Sequence, residues 1–163
     1  MRMLSRLGPF SASPRTLPRA LSSMNSAPLV LHCAHNTIHR FFHILDGLEQ
    51  DMKMSALFTT GGTLHIQKAG LMIDTHAGID AWVENMRTGW SGQPTLHAES
   101  NIVISEPEPG LIVSHSTWSA FVGGALASYG THADVLRKEG GSDDRNGEWK
   151  FQRRVVRHLY PTS

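Results

Sequence analysis

Between Thr95 and Leu159 the sequence falls into four long segments of strand character separated by turn-forming strings, and nothing else in it constrains the fold as strongly. Thr95 to Ser105 comes first and is followed by Glu106-Pro107-Glu108-Pro109-Gly110, which has the chemistry of a turn. Leu111 to Val122, the pair Gly123-Gly124, and Leu126 to Lys138 come next. A polar, glycine-rich loop from Gly140 to Gly147 leads into Glu148 to Leu159. Consecutive long strands with short connections pair with their neighbours in sequence, so an antiparallel meander is predicted.

Helical patterning lies upstream. Ile38, Phe41, Phe42, Leu45 and Leu48 recur at spacings of three and four from Asn36 onward, which predicts an amphipathic helix with Asn36 or Thr37 as its N-cap. Gly47 and the polar Glu49-Gln50-Asp51 break that helix before a short second one around Met52 to Phe58. Thr59-Thr60-Gly61-Gly62 reads as a turn, Thr63 to Gln67 alternates as a strand, and Lys68-Ala69-Gly70 turns it into Leu71 to Asp74. Ile79, Trp82, Val83, Met86 and Trp90 mark the buried face of a helix over Ala77 to Thr88, capped by Gly89. A long antiparallel sheet preceded by helices is an α+β architecture. Strands of this length twist and coil, so the sheet is expected to curl around the helices and enclose a cone-shaped interior.

With 163 residues and 40% hydrophobic content, the chain supports a single domain, placed at residues 31–163. Fifteen Lys and Arg against fourteen Asp and Glu give no polyanion-binding surface, so no nucleic-acid partner is expected. No apolar run approaches the roughly 20 residues of a membrane-spanning helix, so no membrane partner is expected either. Cys33, the single cysteine, rules out an internal disulfide and a four-cysteine zinc site, and it fits a reducing compartment such as the cytoplasm. Residues 1–30 stand apart as a targeting or disordered segment. Arg2, Arg6, Arg15 and Arg19 lie among serines, and no acidic residue precedes Asp46, which is the composition of a mitochondrial presequence. A disordered tail, or initiation at Met24, is the other reading of the same stretch.

Four strings carry a family resemblance: Phe41-Phe42-x-x-Leu45-Asp46 through Ala56-Leu57-Phe58, Ala77-Gly78-Ile79-x-Ala81-Trp82, Thr95-x-His97-x-x-Ser100-Asn101, and Gly147-x-Trp149-Lys150-Phe151-x-x-Arg154-Val155-Val156. In this order and spacing, over residues 36–159, the chain resembles the SnoaL-like group of the nuclear transport factor 2-like superfamily, which holds polyketide cyclases, dehydratases and isomerases. The resemblance implies a cone whose open end admits a small hydrophobic metabolite, often in a homodimer. It does not imply one activity, because members without catalysis share the fold.

Candidate site residues follow from pattern and resemblance together. Asp46 sits at the edge of the first helix's apolar stripe, beside Phe42 and Leu45, and an aspartate at the matching position of dehydratase-like members reaches into the cone. An apolar pocket disfavours the charged form of a carboxylate and so suits it to proton transfer. Strand alternation places His97, Glu99, Asn101 and Val103 on one face, with Leu96, Ala98, Ser100, Ile102 and Ile104 on the other. Polarity alone sends the second set inward; the resemblance turns His97 into the cavity, where an imidazole can shuttle a proton near neutral pH. Asp46 and His97 are thus the expected catalytic pair, and Phe42, His115 and Tyr129 the expected pocket lining. Arg153 and Arg154 have opposite parity, so one of them can point inward and hold an anion, but surface placement of both is the expected case.

Departures from the family pattern also count. Phe41-Phe42 stands where dehydratase-like relatives often carry a tyrosine, which weakens a phenol-assisted dehydration. His35, His39 and His43 share a helix side with Asp46, but a glutamate does not follow His39 as the zinc-protease motif requires, so no metal is expected. No glycine-rich nucleotide loop and no nucleophile elbow occurs, so no cofactor is expected. The expected function is cofactor-independent acid/base chemistry on a hydrophobic metabolite by dehydration, isomerisation or cyclisation. The alternative is a non-catalytic ligand-binding or dimerisation module of the same fold.

Overall fold

The computed structural model describes residues 27–90, 93–140 and 147–160; the leading segment 1–26, read above as targeting or tail, lies outside the described residues. Helix α1 (Ala27–Leu45) starts well before Asn36, so the expected cap residues lie inside it. Thr37 serves a different purpose, donating its hydroxyl to the Trp149 carbonyl at 2.9 Å and pinning the helix to the last strand. The stripe Ala34, Ile38, Phe41, Phe42 and Leu45 is buried as its spacing requires. The helix ends where Gly47 takes a φ of +77°, a conformation open to glycine without a Cβ penalty.

The short second helix is a single 3-10 turn, Met54–Leu57, held by Ser55, whose backbone N–H and hydroxyl both donate to the Asp80 carboxylate at 2.9 and 2.7 Å. Strand β1 (Phe58–Ile66) includes Thr59 to Gly62, a stretch expected as a turn. Its pairing with the last strand shifts register between Phe58 and Thr63, and a Cβ on Gly62 would lie 2.6 Å from the Phe151 carbonyl oxygen. The glycines therefore serve a close approach within a strand. Strand β2 (Leu71–Ile73) completes a hairpin, and α2 (His76–Gly89) follows, with the Thr75 hydroxyl accepting the Gly78 N–H at its start.

The meander forms as expected from β3 (Thr95–Glu108), β4 (Leu111–Val122), β5 (Ala125–Glu139) and β6 (Glu148–Tyr160). β3 runs through Pro107, which shrinks the turn to Pro109-Gly110, with Gly110 at a φ of +79°. The strand order is β2-β1-β6-β5-β4-β3, and β1 lies parallel to β6. The sheet is therefore mixed rather than purely antiparallel; it is curved and does not close on itself. The helices fill the concave side, where Phe41, Phe58, Ile112, Leu136 and Phe151 are buried at the centre of the core. Each such side chain contributes about 1.5–3 kcal/mol by leaving water.

Two β-bulges set what faces that interior. In β3 the register slips one residue between Ser100 and Val103, with Asn101 at a φ of +50°. His97 and Glu99 face inward ahead of the bulge, Ile102 and Ile104 after it, and Asn101 and Val103 are turned out. The strict alternation expected for this strand fails at that point. A second slip in β6, between its pairings at Phe151 and Arg153, lets both Phe151 and Arg154 point inward.

Candidate functional site

Asp46 follows directly on the last turn of α1, where its backbone N–H still donates to the Phe42 carbonyl. Its carboxylate spans two donors of β3: the His97 backbone N–H reaches Oδ2 at 2.8 Å, and the His97 ring Nδ1 lies 2.5 Å from Oδ1. Both side chains are almost wholly buried, at 3% and 5% exposure. A carboxylate only accepts, so Nδ1 carries the proton and Nε2 is the nitrogen left for the cavity. The imidazole is further fixed by rings. Phe42 stacks on it at 5.0 Å between centroids and 6° between planes, and Trp90 lies at 5.4 Å.

The cavity beside His97 has a volume of about 60 Å³ and is walled mainly by Phe42, Trp82, Met86, Trp90, Trp118 and Val156, with His132, Ser128 and His158 as its other polar lining. Such a volume holds water-sized occupants as it stands.

Behind Phe42 lies a buried polar cluster drawn from four strands. Glu99 of β3 accepts from His132 Nδ1 of β5 at 3.0 Å and from Arg154 of β6 at 3.2 Å, and Ser116 of β4 also donates to it. Arg154 Nη2 contacts His132 Nδ1 as well. Asp134 sits 3.6 Å from Arg154 Nε and accepts from Ser114 at 3.1 Å. The side chains of Glu99, His132, Asp134 and Arg154 are at most 1% exposed, and Arg154 lies over the Phe41 ring at 4.1 Å. Burial opposes the charge on Glu99, but Arg154 and the His132 and Ser116 hydrogen bonds outweigh it and hold its carboxyl down to about 2. Burial, followed by the Arg154 charge, lowers His132 to about 3, so its ring is neutral at pH 7. Burial raises Asp134 to about 6 against the pull of Arg154.

The structure brings together Asp46, His97 and Phe42 from the expected site. It does not bring His115 or Tyr129. His115 stands on the convex face of β4, opposite the concave set Ser114, Ser116 and Trp118, and Tyr129 is 41% exposed and stacked on Tyr160. Alternation itself explains both positions, since β4 and β5 present their even-numbered residues inward. Surface placement fails for Arg154, which is fully buried. On α1, His35 and His39 approach each other at 3.2 Å, but Asp46 has turned away toward His97. Among the described residues no group of three or more metal-ligating side chains forms. Glu99, His132 and Trp118 are interior residues that sequence reasoning did not single out, although the parity that places His97 inward places Glu99 there too.

A model of the SnoaL-like domain matches residues 31–155. A search of curated proteins finds no match. Among solved structures, a protein from Novosphingobium aromaticivorans whose name assigns it provisionally to the scytalone dehydratases superposes with a TM-score of 0.67 at 18% identity, covering 83% of this chain and 87% of that one. Aln2 from a Streptomyces species gives 0.68 at 18% identity, with 80% and 91% covered. ActVI-ORFA from Streptomyces coelicolor gives 0.65 at 21% identity, with 80% and 98% covered. At these identities the likeness is one of fold.

Proposed function

Because this chain belongs to the SnoaL-like family, we propose that it is a small-molecule enzyme performing acid/base chemistry on a hydrophobic metabolite, with Asp46 and His97 as its proton-transfer pair. The observation that carries this reading is the carboxylate of Asp46 spanning the backbone and ring nitrogens of His97, at 2.8 and 2.5 Å, inside an aromatic cavity. Asp46 holds the imidazole in one tautomer and balances the charge it gains, while Nε2 takes a proton from the guest and returns it. Neither step calls on a cofactor. Dehydration, isomerisation and cyclisation all begin this way, so the reaction class follows from the guest.

The test is deuterium uptake from heavy water, or loss of water, in a panel of small alicyclic and aromatic ketones and alcohols followed by mass spectrometry. Asp46→Asn and His97→Gln are each expected to lower turnover of any converted compound by roughly 10²–10⁴-fold. Unchanged turnover in both variants would refute the assignment.

A second reading, a binding or dimerisation module without catalysis, draws support from the size of the cavity: about 60 Å³, against the roughly 300–1,000 Å³ usual for small-molecule sites. The homodimer belongs to both readings. Its support is the convex face of the sheet, which presents Leu96 and Val103 at 56% and 65% exposure.

A further inference from the structure

The chain has ten histidines, and His32, His35, His39 and His43 fall on one side of α1. His35 and His39 stand four residues apart, where helix side chains lie one above the other. Their Nε2 atoms come within 3.2 Å, with ring centroids 4.2 Å apart and planes at 65°. Both residues are half-buried, so the pair keeps an open side to solvent. The outer two histidines are engaged elsewhere: His32 Nε2 meets Asn36 Nδ2 at 3.3 Å, and His43 Nδ1 lies 3.5 Å from Glu49. At 3.2 Å the two facing nitrogens cannot both carry a proton, so one N–H donates and the other ring accepts through its lone pair. The same separation suits a metal. Nitrogens bound to one zinc-class ion at about 2.0–2.1 Å stand that far apart when the angle at the ion is about 100–105°, close to the tetrahedral value. Aiming both lone pairs at such an ion asks the ring centroids to part by less than about 1 Å, a small turn for two half-exposed rings.

We propose that His35 and His39 form a two-point site for a late first-row divalent ion, of which Zn²⁺ is the redox-silent example, with water completing its shell. Neither ring lines the cavity beside Asp46 and His97, so the site is separate from the acid/base chemistry. The glutamate missing after His39 bears on hydrolysis by a bound metal and not on ligation, and two imidazoles with solvent need no third protein ligand. An ion held by consecutive turns clamps α1, the helix that carries Phe42 and leads into Asp46. Because the two nitrogens are brought together by the helix, the folded chain binds the ion better than the unfolded one and is stabilised by mass action.

The experiment titrates Zn²⁺ into the tag-free, ¹⁵N-labelled full chain and follows binding by calorimetry and by the histidine ring nitrogen signals. One saturable site is expected, with the Nε2 signals of His35 and His39 moving together. His35→Gln and His39→Gln are each expected to weaken binding at least roughly tenfold. The double variant should lose little more than either single one, because chelation is already gone after the first substitution. His43→Gln, Cys33→Ser and His97→Gln remove the competing ligands and are expected to bind Zn²⁺ as the unaltered chain does. Saturating Zn²⁺ should also raise the urea midpoint of the unaltered chain and leave that of the double variant in place. No saturable binding below about 1 mM Zn²⁺, unchanged affinity in either single variant, or a loss that follows Cys33 or His97 instead overturns the proposal. If a variant does not fold, the ring signals are assigned through bonds from the backbone of the unaltered chain; movement of both His35 and His39 upholds the site, and movement of other histidines alone overturns it.

Discussion

His132 and Asp134 lie two positions apart on β5, both fully buried, and burial moves their titrations in opposite directions. His132 is lowered to about 3, so as pH falls through 6.5 the unfolded chain takes up a proton that the folded one refuses, and stability is lost. Asp134 is raised to about 6, so between that value and 3.8 the folded chain holds a proton that the unfolded one lacks, and stability is regained as pH falls. Glu99, held at about 2, adds a further loss below 4.5. The cluster's net effect is therefore nearly level from pH 6 to 4.5 and falls steeply below that. Asp134→Asn removes the compensating gain, so its urea midpoint relative to the unaltered protein is expected to decline as pH falls from about 6 to 3.8. A constant difference over that range would disprove the balance. At this scale pattern marked Asp46 at the edge of a helix stripe and gave His97 one of two strand faces, but polarity alone sends the other face inward, and only the family resemblance turned His97 toward the interior where the two side chains meet. Arg154 was not: it stands among Arg153 and Arg157, like any solvated basic run, and its partners come from β3 and β5, far away in sequence.

β3 shows where pattern reading stops within an element. Its first residues obey alternation, and the bulge at Asn101 then reverses the side chains from Ile102 to Ser105, bringing Ile102 and Ile104 inward. No run of apolar residues announces such a slip; the sign is an asparagine, a residue that tolerates a φ of +50°. The bulge lets one strand offer His97 to the cavity, Glu99 to the buried polar cluster and two isoleucines to the core. Asn101→Gly is expected to keep stability within about 1 kcal/mol, while Asn101→Val, β-branched at positive φ, should cost about 1–3 kcal/mol in urea unfolding. Equal stability of the two variants would mean that the backbone at this position is not constrained. The Thr59–Gly62 stretch misled for the opposite reason, since glycines chosen for close contact with β6 have the composition of a turn.

For the molecule as a whole, the meander, the α+β class and the helices on one side were readable, because long strands with short links leave little freedom in pairing. The parallel β1–β6 pair was not, since it joins segments more than half the chain apart, Phe58 with Phe151 and Ile66 with Val156. The uncovered convex face returns at this scale. If a second copy covers it, Val103→Glu should yield a monomer in sedimentation equilibrium while leaving His97 in its place; an unaltered mass would show that this face is not the contact. The strand order also bears on how the chain is made. Among the described strands β6 is the last to emerge from the ribosome, and it sits between β1 and β5 and supplies Phe151, Arg154 and Val156 to the interior. Until it arrives, Glu99 has no arginine, α1 has no carbonyl for Thr37, and β1 lacks its longer neighbour. The nascent polypeptide must therefore wait, its aromatic residues unsheltered, and complete its core only after synthesis has passed Tyr160.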